Sequence, residues 1–439
     1  MKKIYVCLCF IFVFFTSAQA TTEQSSTAPE IQDRVYKKLQ VFSRILQYIE
    51  SNYIEDVKIE SLLDDAMKGL TSGLDPHTAY LPPEYYREMK VDTSGHFDGV
   101  GIEIGVSESR DFVVITPTKG GPAEQAGVEM GDKILSVAGQ STKDLNLVEL
   151  VKLIRGKKGS EVKMILQHAN EDKPYEVKKK KKTIKIKSVQ FEKLEHDLGY
   201  IQIKSFQEKT DREVRKAFLQ LDKKENLKGL VLDLRNNPGG LLSQAQLVSD
   251  LFLESGVIVS TKGKNGAFVE TLHAKKEGTL RFVPIIVLIN GGTASAAEIV
   301  AGALQDHKRA VLLGTPSFGK GSVQTIIDLE DGSGLKLTVA RYYTPKGRAI
   351  QAVGDFPDVY VSNRAIAVES ENEARALREK DLKGRLKTLS ESGKEREQSG
   401  KENDANAKND LQLERALEYL RTWDIFRKPF SSHLKKKVS

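Results

Sequence analysis

Ser295 and Lys320 are the two side chains whose settings in this sequence suit acyl-transfer chemistry. Ser295 lies in Asn290-Gly-Gly-Thr-Ala-Ser-Ala-Ala-Glu298, directly after the apolar run at 283–289, which reads as a buried strand. An Ala-rich stretch from Ala294 to Leu304 then opens a helix. The serine is therefore expected where strand becomes helix, with its own amide and its neighbour's pointing outward, unpaired, at the positive end of the helix dipole. Negative charge developing on a nearby oxygen would be stabilised there. Such a nucleophile still needs a base.

No GxSxG elbow occurs, which argues against an α/β-hydrolase arrangement. The histidines that come into question, His77, His96 and His307, lie in an N-terminal loop, near a glycine turn and at the far end of the nucleophile helix. Lys320, in Phe318-Gly-Lys-Gly-Ser-Val-Gln324, is the better candidate, because Ser-Lys pairs are a variant of triad logic. Its flanking glycines permit close backbone approach, and Val323, Ile326 and Ile327 supply apolar surroundings. Lowering a lysine pKa from about 10.4 to near 7 costs roughly 4–5 kcal/mol, which burial can impose. The uncharged Gln324 could orient the amine without stabilising its ammonium form. Taken alone, each segment reads equally well as a helix cap or a solvated glycine turn.

Together the two segments carry a resemblance. The chain resembles the carboxyl-terminal processing proteases, tail-specific serine peptidases with a Ser-Lys dyad and an inserted PDZ domain. Their nucleophile motif falls on Asn290 to Glu298 and their lysine motif on Phe318 to Gln324, with Thr293 where that motif allows Ser or Thr. The resemblance implies Ser295 as nucleophile, Lys320 as base and Gln324 as its orienter. It also places Leu232-Asp-Leu-Arg-Asn-Asn-Pro-Gly-Gly240 beside the nucleophile, so that Gly239 and Ala296 would supply the oxyanion-hole amides. Leu74-Asp-Pro-His-Thr-Ala-Tyr-Leu81 and Tyr342-Tyr-Thr-Pro-Lys-Gly-Arg348 match as well and read as structural. The implied fold is α/β: a core at 189–360 with the crotonase- and Clp-like α/β spiral, a PDZ domain, and helical segments at both ends. The implied activity is that of a serine endopeptidase acting on exported proteins through their unstructured, apolar C-terminal segments. Implied partners are those substrates and further copies in a homo-oligomer, with room for an adaptor protein. No cofactor, metal or nucleic acid is expected. Other classes are a catalytically silent PDZ scaffold, opposed by the presence of both Ser295 and Lys320, and an acyl-CoA enzyme, opposed by the export signal described next.

Met1-Lys-Lys, the apolar stretch Ile4 to Phe15 and Ala18-Gln-Ala20 form a signal peptide at 1–20, cut after Ala20, directing the protein to the periplasm or otherwise out of the cytosol. Both cysteines, Cys7 and Cys9, lie inside it, so the mature chain would hold no disulfide and no thiol ligand. A net charge of +7 over 439 residues is too diffuse to point to nucleic acid.

The PDZ domain is expected at 97–187, in circularly permuted form. Its glycine turn Gly99-Val100-Gly101 precedes the alternating strand beginning at Ile102, and these four residues are the expected carboxylate-binding edge. A dinucleotide turn is excluded, because no third glycine is correctly spaced and no helix follows. Arg155, at the end of the apolar helix at 145–155, reads either as an ordinary surface charge near a helix C-terminus or as a regulatory contact reaching the protease core near Lys320 and Gln324. Apolar seams appear in the N-terminal helical segment at 31–90 (Val35, Leu39, Phe42, Leu46, Ile49) and in the C-terminal helix and basic tail at 411–439 (Leu413, Ala416, Leu417, Leu420). Each would pack within the chain or against a second subunit. Residues 362–410 read as a charged helix and flexible linker.

Overall fold

A computed structural model of the chain describes residues 28–107, 109–169, 171–362, 378–386 and 410–435. The expected signal peptide at 1–20 and the expected linker around 390–407 lie outside the described residues. Contacts divide the chain into two units, one ending at Ala66 and one beginning at Met67. In the first, helix α1 (Ala28–Asn52) leaves Val35, Leu39 and Phe42 of its seam exposed. Helix α2 (Ile59–Ser72) follows, then strand β1 (Ala79–Leu81) and helix α3 (Pro83–Ser94).

A short ladder of β2 (His96–Gly99) with β9 (Lys182–Lys185) joins both ends of a small sheet domain to the rest. Between them run β3 (Ile102–Val106), β4 (Phe112–Pro117), β5 (Lys133–Val137), β6 (Gln140–Ser141), helix α4 (Leu147–Ile154), β7 (Glu161–Gln167) and β8 (Tyr175–Lys180). Their sheet order is β3-β4-β5-β7-β8, which leaves β3 at an edge. Alternation along β7 sends Val162, Met164 and Leu166 into a core that also takes Leu150 and Ile154 from α4. Asn146 caps α4 reciprocally: its Oδ1 accepts from the Glu149 N–H while Glu149 Oε2 accepts from its own N–H. Of the lysine run at 178–182, Lys181 is buried and its Nζ donates to the Leu153 and Arg155 carbonyls, capping the end of α4. Lys178 pairs with Glu161.

The largest core belongs to the half that carries Ser295 and Lys320. Strands β10 (Val189–Leu194), β11 (Leu198–Ile203), β12 (Gly229–Asp233), β15 (Ile285–Ile289), β16 (Val311–Gly314) and β19 (Val359–Tyr360) form one sheet in that order, parallel except at β10–β11. Both faces are covered, so β12 and β15 are continuous apolar runs buried along their whole length. Leu230, Leu232, Ile285, Val287 and Ile289 face one way, packing with α5 (Thr210–Leu221), α6 (Leu242–Asp250) and α7 (Ala296–Asp306). Val231, Ile286 and Leu288 face the other, where α8 (Leu411–Lys435) covers them with Ala416 and Leu420. The C-terminal seam therefore packs within the chain. A second sheet joins β1, β13 (Val257–Lys262), β14 (Phe268–His273), β17 (Ser322–Asp328) and β18 (Gly334–Tyr343). Thr210 does not cap α5, although Thr210 and Glu213 have capping-box spacing. Lys209 takes the cap position, and Thr210 Oγ1 turns back to Gln207.

Candidate active site

Ser295 stands between β15 and α7 with φ 56° and ψ −117°, a conformation that costs on the order of 1–3 kcal/mol outside glycine. The turn before it is knitted by side chains. Asn290 Oδ1 accepts from the Asn236 and Gly292 N–H groups, and Thr293 Oγ1 accepts from the Asn290 N–H while donating to the Leu234 carbonyl. The Ala294 N–H donates to the Asn237 carbonyl. The turn after β12 and the turn after β15 thus brace each other, as two neighbouring parallel strands allow. Gly239 lies against Ser295 and Ala296, so close that any side chain on it would collide with both.

Two amides of this turn differ from their expected state. The Ser295 N–H is not free: it donates to Glu298 Oε2 at 2.8 Å, because a carboxylate one turn into the helix reaches back to the orphan amide. The Gly239 N–H donates to Asn237 Oδ1 at 2.9 Å. Among the described residues, the Ala296 N–H meets no backbone acceptor.

Glu298 organises the site, and sequence reading had given it no role. It is fully buried in α7 and accepts four donors: Ser295 N–H and Lys320 N–H (2.9 Å) at Oε2, Ser317 Oγ (2.5 Å) and Gly319 N–H (2.8 Å) at Oε1. One carboxylate thereby joins the backbone of Ser295 to the backbone of Lys320. Burial and the neighbouring Asp355 carboxylate push its pKa up to about 8, while Ser317 and the amides of Ser295 and Gly319 pull the other way. Its signal in the sequence is an acidic residue in the apolar stretch Ala296 to Leu304, three positions after a serine.

Lys320 is half-buried, and burial followed by repulsion from Lys336 on β18 lowers its pKa, against the pull of Glu379, Glu298 and Asp75. Its loop fits closely. A side chain on Gly321 would come within 2.2 Å of the Gln351 nitrogen, and the Gly321 N–H donates to Gln351 Oε1. Gln324 lies on β17 close by, but its Nε2 donates to Ser322 Oγ at 2.8 Å and Thr338 Oγ1 at 3.5 Å. Among the described residues, no hydrogen bond joins Lys320 Nζ to Gln324 or to Ser295 Oγ. His307 Nε2 donates to the Val257 carbonyl at 2.7 Å, in a structural contact, and His77 meets Glu379 at 2.7 Å. Asp75 explains the other matched segment: it gathers His77 N–H, Thr78 and Thr338 Oγ1 and fixes β1 against β18.

In the PDZ domain, Gly101 has φ 78°, Val100 is buried, and their carbonyls accept from Thr118 and Ala123. The Val100 and Gly101 N–H groups meet no backbone acceptor among the described residues, and Ile102 begins the unpaired edge of β3. Arg155 does not reach the catalytic loop. Its guanidinium lies 3.8 Å from Glu88 on α3 and 4.8 Å over the Phe97 ring, because the backbone at the end of α4 turns towards β2.

Comparison with known proteins bears on this geometry. The family model for peptidase family S41 matches residues 197–361, and a PDZ-domain model matches 113–168. A carboxy-terminal-processing protease of Bartonella bacilliformis is 39% identical over 94% of this chain and 95% of its own. The chain belongs to peptidase family S41. The carboxy-terminal processing protease CtpA of Bacillus subtilis is 39% identical over 73% of this chain and 68% of its own. A solved photosystem II D1 C-terminal processing protease aligns over 74% of this chain and 92% of its own, at 31% identity and a TM-score of 0.45. This S41 chain is thus a serine-type peptidase of the carboxy-terminal-processing group, with the expected α/β protease fold, PDZ domain and terminal helices.

Proposed function

We propose that the protein is an exported endopeptidase in which Ser295 attacks the scissile carbonyl and Lys320, neutral, takes its proton. As the scissile C–N bond breaks, the Lys320 ammonium gives that proton to the leaving amine, and water then releases the acyl-enzyme with Lys320 again as base. The observation that carries this reading is the Glu298 carboxylate, which binds the Ser295 and Lys320 amides on a single oxygen. The strained serine is held at a helix start, where the Ala296 N–H is ready to meet an oxyanion. Gly239 joins it on exchanging Asn237 for substrate, and Gln324 orients the amine on leaving Ser322. Protein substrates enter by their unstructured, apolar C-termini, added as a strand to β3 with the carboxylate on Gly99, Val100, Gly101 and Ile102. The signal peptide at 1–20 directs this activity to the periplasm or an equivalent exported compartment, where the chain works as a homo-oligomer. Rates of Ser295→Ala, Lys320→Ala and the double variant on an unfolded substrate with an apolar tail provide the test. All three should fall to nearly one residual level, because the pair acts as a unit. A Lys320→Ala enzyme with most of its activity would overturn the dyad.

A further inference from the structure

Residues 378–386 belong to the stretch expected to form a charged helix, yet only the short 3-10 turn Glu379–Asp381 forms among them and Glu379 is fully buried. A carboxylate is carried out of water only where partners compensate it. Those partners surround the base loop. Glu379 accepts from Gln351 Nε2 at 2.7 Å, on the same side chain whose Oε1 holds the Gly321 N–H, and it meets His77 Nε2 at 2.7 Å. The Glu379 N–H donates to the Phe318 carbonyl at 3.3 Å. The Arg378 guanidinium donates to the Ser317 carbonyl at 2.7 Å and the Val353 carbonyl at 3.2 Å. These contacts hold the carbonyls of residues 317–318 and, through Gln351, the amide of Gly321. Glu298 holds the intervening amides of Gly319 and Lys320. The loop bearing Lys320 is gripped from two sides by two buried glutamates. Lys380, Asp381 and Lys383 of the same segment are exposed and Leu382 is only half-buried, so it adds little to the apolar core.

We infer that residues 378–381 are a strap that holds the base loop in place, with Glu379 as a positioning residue for Lys320. This rests on the Ser295–Lys320 reading. The charged groups acting on Lys320 are Lys336 on β18, Glu298 on α7, Asp75 in the loop before β1, and Glu379 on the strap. Three carboxylates favour the ammonium, and His77 occupies one oxygen of the last. Removing the strap's charge therefore favours the neutral amine.

The full-length enzyme is assayed as Glu379→Ala, Glu379→Gln, His77→Ala and the His77→Ala/Glu379→Ala pair, with Ser295→Ala as control. Glu379→Ala should lower kcat roughly 30- to 100-fold with KM within about twofold, the size expected for a reacting group displaced by about an ångström. Combining it with His77→Ala should add little, because both break one contact. In Glu379→Gln the acidic limb of the kcat profile should move to lower pH. Unchanged kcat in Glu379→Ala, or losses that multiply in the pair, would overturn the strap while an inactive Ser295→Ala left the dyad standing. An active Ser295→Ala would instead remove the dyad. Should Glu379→Ala fail to fold, the nearly isosteric Glu379→Gln decides: a limb that stays in place overturns the inference.

Discussion

The protease site and the PDZ edge are built from opposite materials. Around Ser295 and Lys320, buried side chains (Asn290, Thr293, Glu298, Gln351, Glu379) consume backbone amides and carbonyls until the turns cannot shift independently. At β3 the groups proposed to hold the peptide are backbone amides of Val100 and Gly101, which meet no backbone acceptor among the described residues, and the strand edge. Catalysis places two groups against each other, so its network is closed. Peptide recognition needs donors to spare, so its edge stays open. Substitutions in the first region should therefore damage rate and folding together, and those in the second should act on substrate capture.

Glu298→Gln is the strongest test of the closed network. An amide supplies one acceptor oxygen where four donors converge, and its NH2 faces N–H groups. A buried donor left unsatisfied costs about 1–3 kcal/mol, so both stability and kcat should fall, the latter by roughly two orders of magnitude, with a smaller change in KM. Steady-state kinetics at matched folded fraction measure this; a near-normal kcat would mean that the two backbones are held by something else.

The same carboxyl gives the network a pH dependence. Glu298 has its folded pKa raised from 4.5 to about 8, so between these values the native state binds more protons than the unfolded one. Stability then falls as pH rises through that window. Thermal midpoints of wild type should drop from pH 5 to pH 8 more than those of Glu298→Gln, in which this group no longer titrates. Comparing the two cancels the opposing contribution of the buried lysines. Equal slopes would show that Glu298 is ionised throughout.

How much of this could be read from the sequence follows the same division. The nucleophile turn was legible because its partners are close in the chain or on the next strand, and a strand-to-helix junction has a strong apolar signature. Its hydrogen-bond state was only half legible: Glu298 stands at capping-box spacing from Ser295, but only the fold brings Ser317 and Gly319 to the same carboxylate. The base loop was legible in identity through its glycines, but its clamp was not. Glu379 comes from a stretch whose composition reads as solvent-exposed, and only the fold brings it to Gln351 and His77. The apolar face of α8 left two readings open until packing against Val231 and Leu288 decided them.

At the open edge the effect should be smaller and of another kind. Amidating the C-terminus of an apolar-tailed substrate removes the charge that the Gly99-Val-Gly101 amides would hold. KM should rise about 5- to 10-fold, or roughly 1–1.4 kcal/mol of binding, with kcat nearly unchanged. A fall in kcat alone would mean that the domain signals to the active site instead of capturing the tail.

Arg155 lies where the two regions could communicate, and there the smallest change is expected. Its ion pair with Glu88 is 3.8 Å long and half open to water, with side-chain exposures of 28% and 37%. Such pairs contribute about 0–1 kcal/mol, and its position over Phe97 adds about 0.5–1 kcal/mol. The Arg155 carbonyl, not its side chain, receives the buried Lys181, so truncation to Ala leaves the cap of α4 intact. Arg155→Ala should thus lower the thermal midpoint by a few degrees at most and change kcat/KM less than twofold, for free and amidated tails alike. A tenfold loss confined to free-tailed substrates would contradict this, because only an arginine that leaves Glu88 for the catalytic loop on peptide binding could produce it.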